Sequence, residues 1–131
     1  MEKQKLTICG ELPDLNQIIA ASKQHWARYH AFKKKYTQFV AMIARMQLVP
    51  VVEYPVRIEI AWFCKDRRCD PDNVAHAKKY ILDGLVSAGI LKSDGFKHIC
   101  SFTDSFFVDK ENPRIEVTIQ KGEEHEYPTT T

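Results

Sequence analysis

Residues 56–89, VRIEIAWFCKDRRCDPDNVAHAKKYILDGLVSAG, decide the fold of this chain. From Val56 to Cys64 the apolar side chains alternate with others, which predicts a β-strand with one buried face. A polar turn follows, and from about Pro71 to Ala88 the apolar residues take a helical spacing. Gly89 then stands where a residue with positive φ commonly ends a helix. The stretch therefore predicts a strand that leads into a helix packed on the same sheet.

The residues before this stretch predict one more strand and a long helical segment. Lys5 to Cys9 alternate weakly and form the strand. Asp14 with Gln17 resembles a capping box, and the helical spacing continues to Gln47. One helix of that length would extend roughly 50 Å, so we expect it either to break near residues 25–30 or to project beyond the domain. Projection would indicate a dimer.

Two further strands follow, at about His98 to Val108 and Arg114 to Gln120. The turn-rich loop from Asp109 to Pro113 between them predicts an antiparallel hairpin. The whole pattern indicates a single small α+β domain, with a mixed β-sheet of about four strands and two main helices in the order β-α-β-α-β-β. We assign residues 1–121 to this domain and residues 122–131 to a flexible polar tail.

Length, composition and charge exclude several classes of protein. The chain has 131 residues, of which 44% are hydrophobic and 27% charged, and this is the composition of one ordinary globular domain. Lys and Arg number 19 against 17 Asp and Glu, a net charge of +2, so bulk charge alone does not predict a nucleic-acid partner. No apolar run is long enough to span a membrane, and the first residues lack the apolar core of a secretory signal. We therefore expect a cytoplasmic protein with no membrane partner.

The cysteines and the absence of nucleotide-binding motifs limit the disulfides, metals and cofactors that can be expected. Cys9, Cys64, Cys69 and Cys100 are expected to be ordinary thiols, because disulfides are rare in the cytosol. A zinc site at Cys64 and Cys69 is the alternative, although the other two cysteines form no second ligand pair. The glycine-rich motifs that cradle phosphates in nucleotide enzymes do not occur, so no nucleotide cofactor is expected.

The candidate chemistry lies in Asp70-Pro71-Asp72-Asn73, which places two carboxylates between a buried strand and a helix N-terminus. Structural roles can explain both acids, since Asp70 before Pro71 suits an N-cap and Asp72 is favoured by the helix dipole. A helical wheel also puts one polar stripe opposite the apolar face, and this stripe is either a solvated face with i,i+4 pairs or one side of a site. Its members are Asp72, His76, Lys79 and Asp83.

Asp94 supplies a third carboxylate after the helix. It can approach Asp70 and Asp72 only if the connection folds back or a second subunit supplies the other side. Three hard oxygen ligands suit Mg²⁺ or Mn²⁺, which can activate water and polarise a phosphodiester. A nearby lysine would stabilise the developing charge. Lys79 is the better candidate for that role, because Lys78 points toward the edge of the apolar side.

Basic side chains surround these acids, and backbone phosphates would find counter-charges there. A second basic cluster, Lys33 to Lys35, is either a phosphate-contacting patch or the polar face of an amphipathic helix. The candidate DNA-binding residues beside the acids are Lys65, Arg67, Arg68, His76 and Lys78.

Three short motifs together resemble the RusA family of Holliday junction resolvases, which prophages often encode. They are Asp70-Pro71-Asp72-Asn73, the helix end Ile81-Leu82-Asp83-Gly84-Leu85 and the run Ser93-Asp94-Gly95, and the similarity covers about Val56 to Gln120. The resemblance implies a RusA-like fold and a small homodimer that uses acidic residues with Mg²⁺ or Mn²⁺ to cut paired strands of four-way DNA junctions. By resemblance, Asp70, Asp72 and Asp94 match the three catalytic, metal-binding aspartates of that family.

Two positions depart from the family's pattern. The best-known form carries a lysine one helical turn after its second aspartate, and here that position is His76. The stretch from Asp72 to Asp94 is longer by about one turn, so an insertion could bring Lys79 into the lysine's place. Ser93 stands where a second acid is often found, so it cannot act as a carboxylate ligand.

We therefore predict a Mg²⁺-dependent endodeoxyribonuclease that resolves four-way junctions by paired symmetric nicks in DNA recombination or repair. Its catalytic residues would be Asp70, Asp72, Asp94 and Lys79, and a two-fold dimer would match the symmetry of the junction. One alternative is a nuclease for other branched DNA, such as flaps. The other is a non-catalytic junction-binding protein whose acids are only caps and surface pairs.

Overall fold

The chain forms a single α+β domain with a four-stranded mixed sheet and two main helices, which confirms the predicted fold class. The computed structural model describes residues 1–23 and 25–124. In chain order the elements are β1 (Gln4–Cys9), α1 (Leu15–Ser22), α2 (Trp26–Gln47), β2 (Val56–Cys64), α3 (Pro71–Ala75), α4 (Lys78–Ser87), β3 (Ile99–Val108) and β4 (Arg114–Lys121).

The sheet has the strand order β1-β4-β2-β3. Strand β4 pairs antiparallel with both β1 and β2, whereas β3 pairs parallel with β2. The predicted hairpin of β3 and β4 is therefore wrong, because the two strands lie on opposite sides of β2. Their connection crosses the end of β2, where the Asp109 N–H donates to the Cys64 carbonyl at 2.8 Å and the Gly10 N–H donates to the Pro113 carbonyl at 2.9 Å.

Both predicted long helices are broken. The segment from Asp14 to Gln47 divides between Ser22 and Trp26, at the start of the expected region, and the His25 ring nitrogen caps α2 by accepting from the Ala27 N–H. The helix predicted from Pro71 to Ala88 divides at His76 and Ala77. There the bonds run from the Ala77 N–H to the Val74 carbonyl and from the Tyr80 N–H to the Ala77 carbonyl, the tighter spacing of a 3₁₀ turn.

The core lies between one face of the sheet and helices α2 and α4. Alternate residues of β1, β2 and β4 point into it, and Trp62 is its largest fully buried side chain. The two helices cross closely at Gly84, where an added Cβ would lie 2.6 Å from Cγ1 of Val40. The core residues of the three strands are Leu6, Ile8, Val56, Ile58, Ile60, Trp62, Ile115, Val117 and Ile119.

The end of the last described strand is bonded to the segment before β2. Strand β4 ends at Lys121, whose ammonium donates to the Tyr54 carbonyl, and the Gly122 N–H donates to the Pro55 carbonyl at 2.9 Å. Most of the predicted tail, residues 125–131, lies outside the described residues. No helix in the described part of the chain is long and apolar enough to cross a membrane, and the cytoplasmic location stays a prediction.

Candidate functional site

Asp70 stands at the N-cap position of α3, with an extended backbone and Pro71 at the first helical position. Its side chain accepts no capping hydrogen bond, and it takes part in no ion pair with any described residue. The residue is exposed. The N-cap explanation therefore accounts for the backbone of Asp70 and leaves its carboxylate available.

Asp72 lies in the first turn of α3 and is also exposed. Its Oδ1 accepts the N–H of Asn73 at 3.0 Å. In the described part of the chain no contact joins Asp72 to His76, because α3 ends at Ala75 and the polar stripe does not continue along one helix. The carboxylates of Asp70 and Asp72 thus share the start of one short helix.

Asp94 returns to the start of α4, because the connection after that helix folds back. The Nζ of Lys79 lies 3.2 Å from Oδ2 of Asp94 and 3.0 Å from Oδ1 of Asp83. Hydrogen bonds to these two carboxylates, of which the one to Asp83 has the larger effect, raise the pKa of Lys79 above its usual value. Lys79, and not His76, is therefore the basic residue that contacts the third predicted acid.

The turn that presents Asp94 is held by Ser93. The Ser93 hydroxyl lies 2.6 Å from Nδ1 of His98 and accepts the N–H of Gly95 at 3.3 Å. The ring of His98 in turn packs edge-on against Tyr54. Ser93, which the sequence excluded as a carboxylate ligand, has a structural role in this turn.

The three aspartates do not form a preassembled metal cage. Among residues 1–23 and 25–124 no group of three His, Cys, Asp or Glu side chains is arranged to hold a metal ion. The donor chemistry nevertheless fits a hard cation, since the carboxylate of Asp70 is uncommitted and Asp72 stands two residues away. Mg²⁺ commonly takes one or two carboxylates and completes its shell with water and substrate phosphate.

A half-buried ion pair next to this site was not predicted. The Nζ of Lys78 lies 2.6 Å from Oδ2 of Asp104, and Oδ1 of Asp104 accepts the indole N–H of Trp62 at 2.9 Å. Both charged side chains are 22% exposed, and Lys78 also lies 4.6 Å from the ring centre of Phe102. The signal in the sequence was Asp104 itself, a lone charge within an apolar strand. The pair fixes the first turn of α4, where Lys79 follows.

The predicted phosphate-binding residues divide into two groups. The loop after β2 presents Lys65, Arg67 and Arg68 to solvent, with weak partners only: Lys65 is 4.0 Å from Glu11, and Arg68 is 3.6 Å from Asp66. His76 is exposed as well. Lys78 differs, because its ammonium is committed to Asp104.

Cys9, Cys64 and Cys69 are free thiols, and Cys69 directly precedes Asp70. The Cys69 thiol donates to Oδ2 of Asp14 at 2.8 Å. This hydrogen bond, with a smaller contribution from burial, raises the pKa of Cys69 to about 11. Both residues line a cavity of about 660 Å³ between α1 and the loop after β2.

The family model described as "Endodeoxyribonuclease RusA" matches residues 13–120, which include all four predicted catalytic positions. The chain belongs to the RusA family. The resemblance seen in the sequence is thereby confirmed, and RusA endodeoxyribonucleases are hydrolases that act on DNA and are generally metal-dependent. No curated protein matches the sequence at a significant level.

Proposed function

We propose that this RusA-family protein is a Mg²⁺- or Mn²⁺-dependent nuclease that resolves four-way DNA junctions as a homodimer. The observation that carries the proposal is the carboxylate of Asp70, which occupies an N-cap position without capping and has no described partner. A carboxylate with only a structural role would be expected to accept a backbone N–H there. Its availability favours the ligand interpretation over the structural one.

In this proposal Asp70, Asp72 and Asp94 would hold the metal ion, with a phosphate of the DNA as a further ligand. When bound there, Mg²⁺ or Mn²⁺ would supply polarisation of a phosphodiester and a lowered pKa for a bound water. Asp70 and Asp72 provide two oxygens from one helix start, and Asp94 reaches the start of the next helix through the folded-back connection. The carboxylates also orient water by accepting its protons in hydrogen bonds.

Lys79 takes the place of the family's lysine in this scheme. It is already bound to Asp94, and its raised pKa keeps the ammonium charged at neutral pH. A charged ammonium beside the scissile phosphate stabilises the negative charge that develops on the phosphate oxygens. The sequence predicts about one helical turn more between Asp72 and Asp94 than in the family's best-known form. The irregular turn at His76 and Ala77 lies in this stretch, between Asp72 and Lys79.

Lys65, Arg67 and Arg68 are the proposed contacts to the DNA backbone. They project from the loop that leads directly into Asp70, and their existing ion pairs are exposed and therefore weak. Phosphates could replace those partners at little cost. Lys78 is left out of this set because its ammonium is half-buried against Asp104.

The test is cleavage of a labelled synthetic four-way junction with Mg²⁺ or with EDTA, beside a linear duplex and a flap of the same sequence. We expect metal-dependent paired nicks in the junction and none in the duplex. Asp70→Asn should abolish the nicks while junction binding is retained. Cleavage of the flap alone would indicate another branched substrate, and binding without any cleavage would indicate a binding protein.

Asp83 and Asp94 provide a matched control for the site, because each contributes one carboxylate to Lys79. If Asp94 is only a surface ion-pair partner, Asp83→Asn and Asp94→Asn should have the same small effect. If Asp94 is a metal ligand, Asp94→Asn should reduce the cleavage rate by at least about a hundredfold, whereas Asp83→Asn should reduce it only severalfold. Equal rates in the two variants would contradict the assignment.

A further inference from the structure

The two edge strands of the sheet, β1 and β3, differ in whether other groups bond their outer backbone atoms. At the β1 edge, the Gln47 side chain of α2 bonds both backbone groups of Thr7, at 2.8 Å to the N–H and 2.9 Å to the carbonyl. The Gln4 side chain bonds both backbone groups of Val49 in the same way, at 2.8 Å and 3.0 Å. The Gln47 amide occupies the position of an adjacent strand at Thr7, and the bonds from Gln4 hold the chain at Val49 against β1, so the β1 edge is closed to further pairing.

The β3 edge has no such protection. Strand β3 has β2 as its only strand neighbour, and within the described chain no hydrogen bond reaches the outer backbone groups from Ser101 to Val108. The strand is ten residues long, which is long for an edge strand. Natural edges of this length usually carry a lysine, a proline or a bulge that prevents pairing. From Ser101 to Val108 the chain has only one charge, Asp104, which Lys78 already neutralises.

The side chains beside this edge are apolar and exposed. On the helix side of the sheet, Phe102 is 42% exposed, Phe106 38% and Val108 50%, whereas the core-facing residues of β1, β2 and β4 are buried. On the opposite side, Phe107 is 48% exposed and stacks on Phe63. Unpaired backbone and apolar side chains on both faces are what another β-strand would cover.

We propose that the β3 edge is the homodimer interface, at which β3 of one protomer pairs antiparallel with β3 of a second copy. The inference deepens the dimer included in the proposed function. A second copy is the occupant because it brings the same open edge and the same apolar side chains, and a two-fold axis makes one such surface complementary to itself. The pairing would join two four-stranded sheets into one continuous sheet.

This interface also sets the position of the two candidate sites. Antiparallel pairing about a two-fold axis perpendicular to the sheet leaves both helix layers on the same side. Asp104 lies in the middle of β3 and binds Lys78, the residue before Lys79. The paired strands would therefore place the two Lys79 side chains on one face, on either side of the axis, as two symmetric cuts in one junction require.

Phe106 and Phe39 allow a matched test, because each is 38% exposed and they lie on different elements, β3 and α2. The wild-type chain should sediment as a dimer that dissociates on dilution. Phe106→Lys should raise the dissociation constant at least about tenfold, because a charge would enter the interface, whereas Phe39→Lys should leave it unchanged. Circular dichroism of both variants establishes that each is folded.

Hydrogen exchange provides a second measurement that does not depend on a substitution. Within residues 101–108, the alternate amides that point away from β2 should be protected in the concentrated dimer and should lose this protection on dilution, while the amides bonded to β2 and those of β1 should not change. A wild-type chain that is monomeric at every concentration would overturn the inference. So would a dimer that Phe39→Lys dissociates and Phe106→Lys does not, and so would a β3 edge that is protected only by a different protein.

The junction assay separates this inference from the proposed function. A dimer that makes paired nicks but forms through another surface would overturn the β3 interface alone, whereas a monomeric protein that makes them would also overturn the homodimer and leave only the nuclease activity. A dimer that forms through β3 and cuts no DNA would support the interface and would overturn the nuclease proposal.

Discussion

Asp14 uses its two carboxylate oxygens for two different groups. Oδ1 accepts the Gln17 N–H at 2.9 Å, and Oε1 of Gln17 accepts the Asp14 N–H at 3.0 Å. The two bonds together form the predicted capping box of α1. Oδ2 accepts the thiol of Cys69. The first role was predictable from local spacing. The second was not, because it joins residues 55 positions apart in the sequence.

Asp14→Asn should make Cys69 more reactive. The Asp14 carboxylate raises the pKa of Cys69 to about 11, and only the thiolate attacks an alkylating reagent. Asparagine still caps a helix but has no charge, so the pKa of Cys69 should fall and the alkylation rate at mildly alkaline pH should rise at least about tenfold. Iodoacetamide labelling followed by peptide mass spectrometry measures the rate at each pH.

Cys9 is the internal reference for this experiment, because it is exposed on β1. Its labelling rate should be the same in wild type and variant. An unchanged rate at Cys69 would mean that the hydrogen bond to Asp14 does not control the thiol.

At the scale of helices and strands, the sequence predicted which segments are regular and missed where one of them breaks. The helical spacing of apolar residues continues through His76 and Ala77, since Val74, Ala77, Ile81 and Leu85 would share one face of an unbroken helix. The break preserves the burial of Ala77 and Ile81 and turns Lys78 toward Asp104. That ion pair joins α4 to β3, so a reading of local periodicity could not have found it.

The crossing of α2 and α4 at Gly84 should be sensitive to one added methyl group. In Gly84→Ala the new Cβ would meet Cγ1 and Cβ of Val40 at 2.6 and 2.7 Å. Alanine favours a helix by about 1 kcal/mol over glycine, but overpacking costs about 1–3 kcal/mol, so we expect a net loss of stability. Urea unfolding monitored by circular dichroism measures the difference.

The double variant Val40→Ala/Gly84→Ala tests the cause of that loss. Val40→Ala removes the contact of the new Cβ with Cγ1 at 2.6 Å and keeps the one with Cβ at 2.7 Å, so it relieves part of the overpacking, and the double variant should be more stable than the sum of the two single losses by at least about 0.5 kcal/mol. Additive losses would show that the helices do not cross at this contact.

At the scale of the whole molecule, the partner of each strand was the least predictable feature. The loop Asp109 to Pro113 has the residues of a tight turn, and such a turn usually joins neighbours. Here the Arg114 side chain contacts Asp109 at 2.8 Å and Glu116 at 2.7 Å, and the loop carries the chain across β2. The three aspartates of the candidate site could be proposed from the sequence because two lie in one motif, and they stay a prediction. The return of Asp94 to Lys79 required the tertiary structure.

DNA binding should depend on Arg67 and Arg68 more than on the lysines of α2. Each phosphate contact contributes about 0.9 to the slope of log K against log salt concentration. Arg67→Ala/Arg68→Ala should therefore reduce that slope by about two for each bound protomer. Fluorescence anisotropy of a labelled junction, in EDTA so that no strand is cut, measures the slope.

Lys33→Ala/Lys34→Ala removes two exposed charges from α2 and serves as the control, with an expected slope equal to that of wild type. Lys33 already lies 5.4 Å from the ring centre of Tyr29 on the same helix. A larger effect in this variant would move the DNA-binding surface to α2.

The strand order also affects how the protein can be synthesised. Strand β4 lies between β1 and β2 and is the last strand among the described residues, and its residues Ile115, Val117 and Ile119 are fully or almost fully buried. Until residues 114–121 have left the ribosome, β1 has no strand neighbour and the core lacks its central row. The nascent chain therefore cannot complete its sheet before β4 has been synthesised. During that time its apolar segments stay exposed, and chaperones that recognise such segments can bind them.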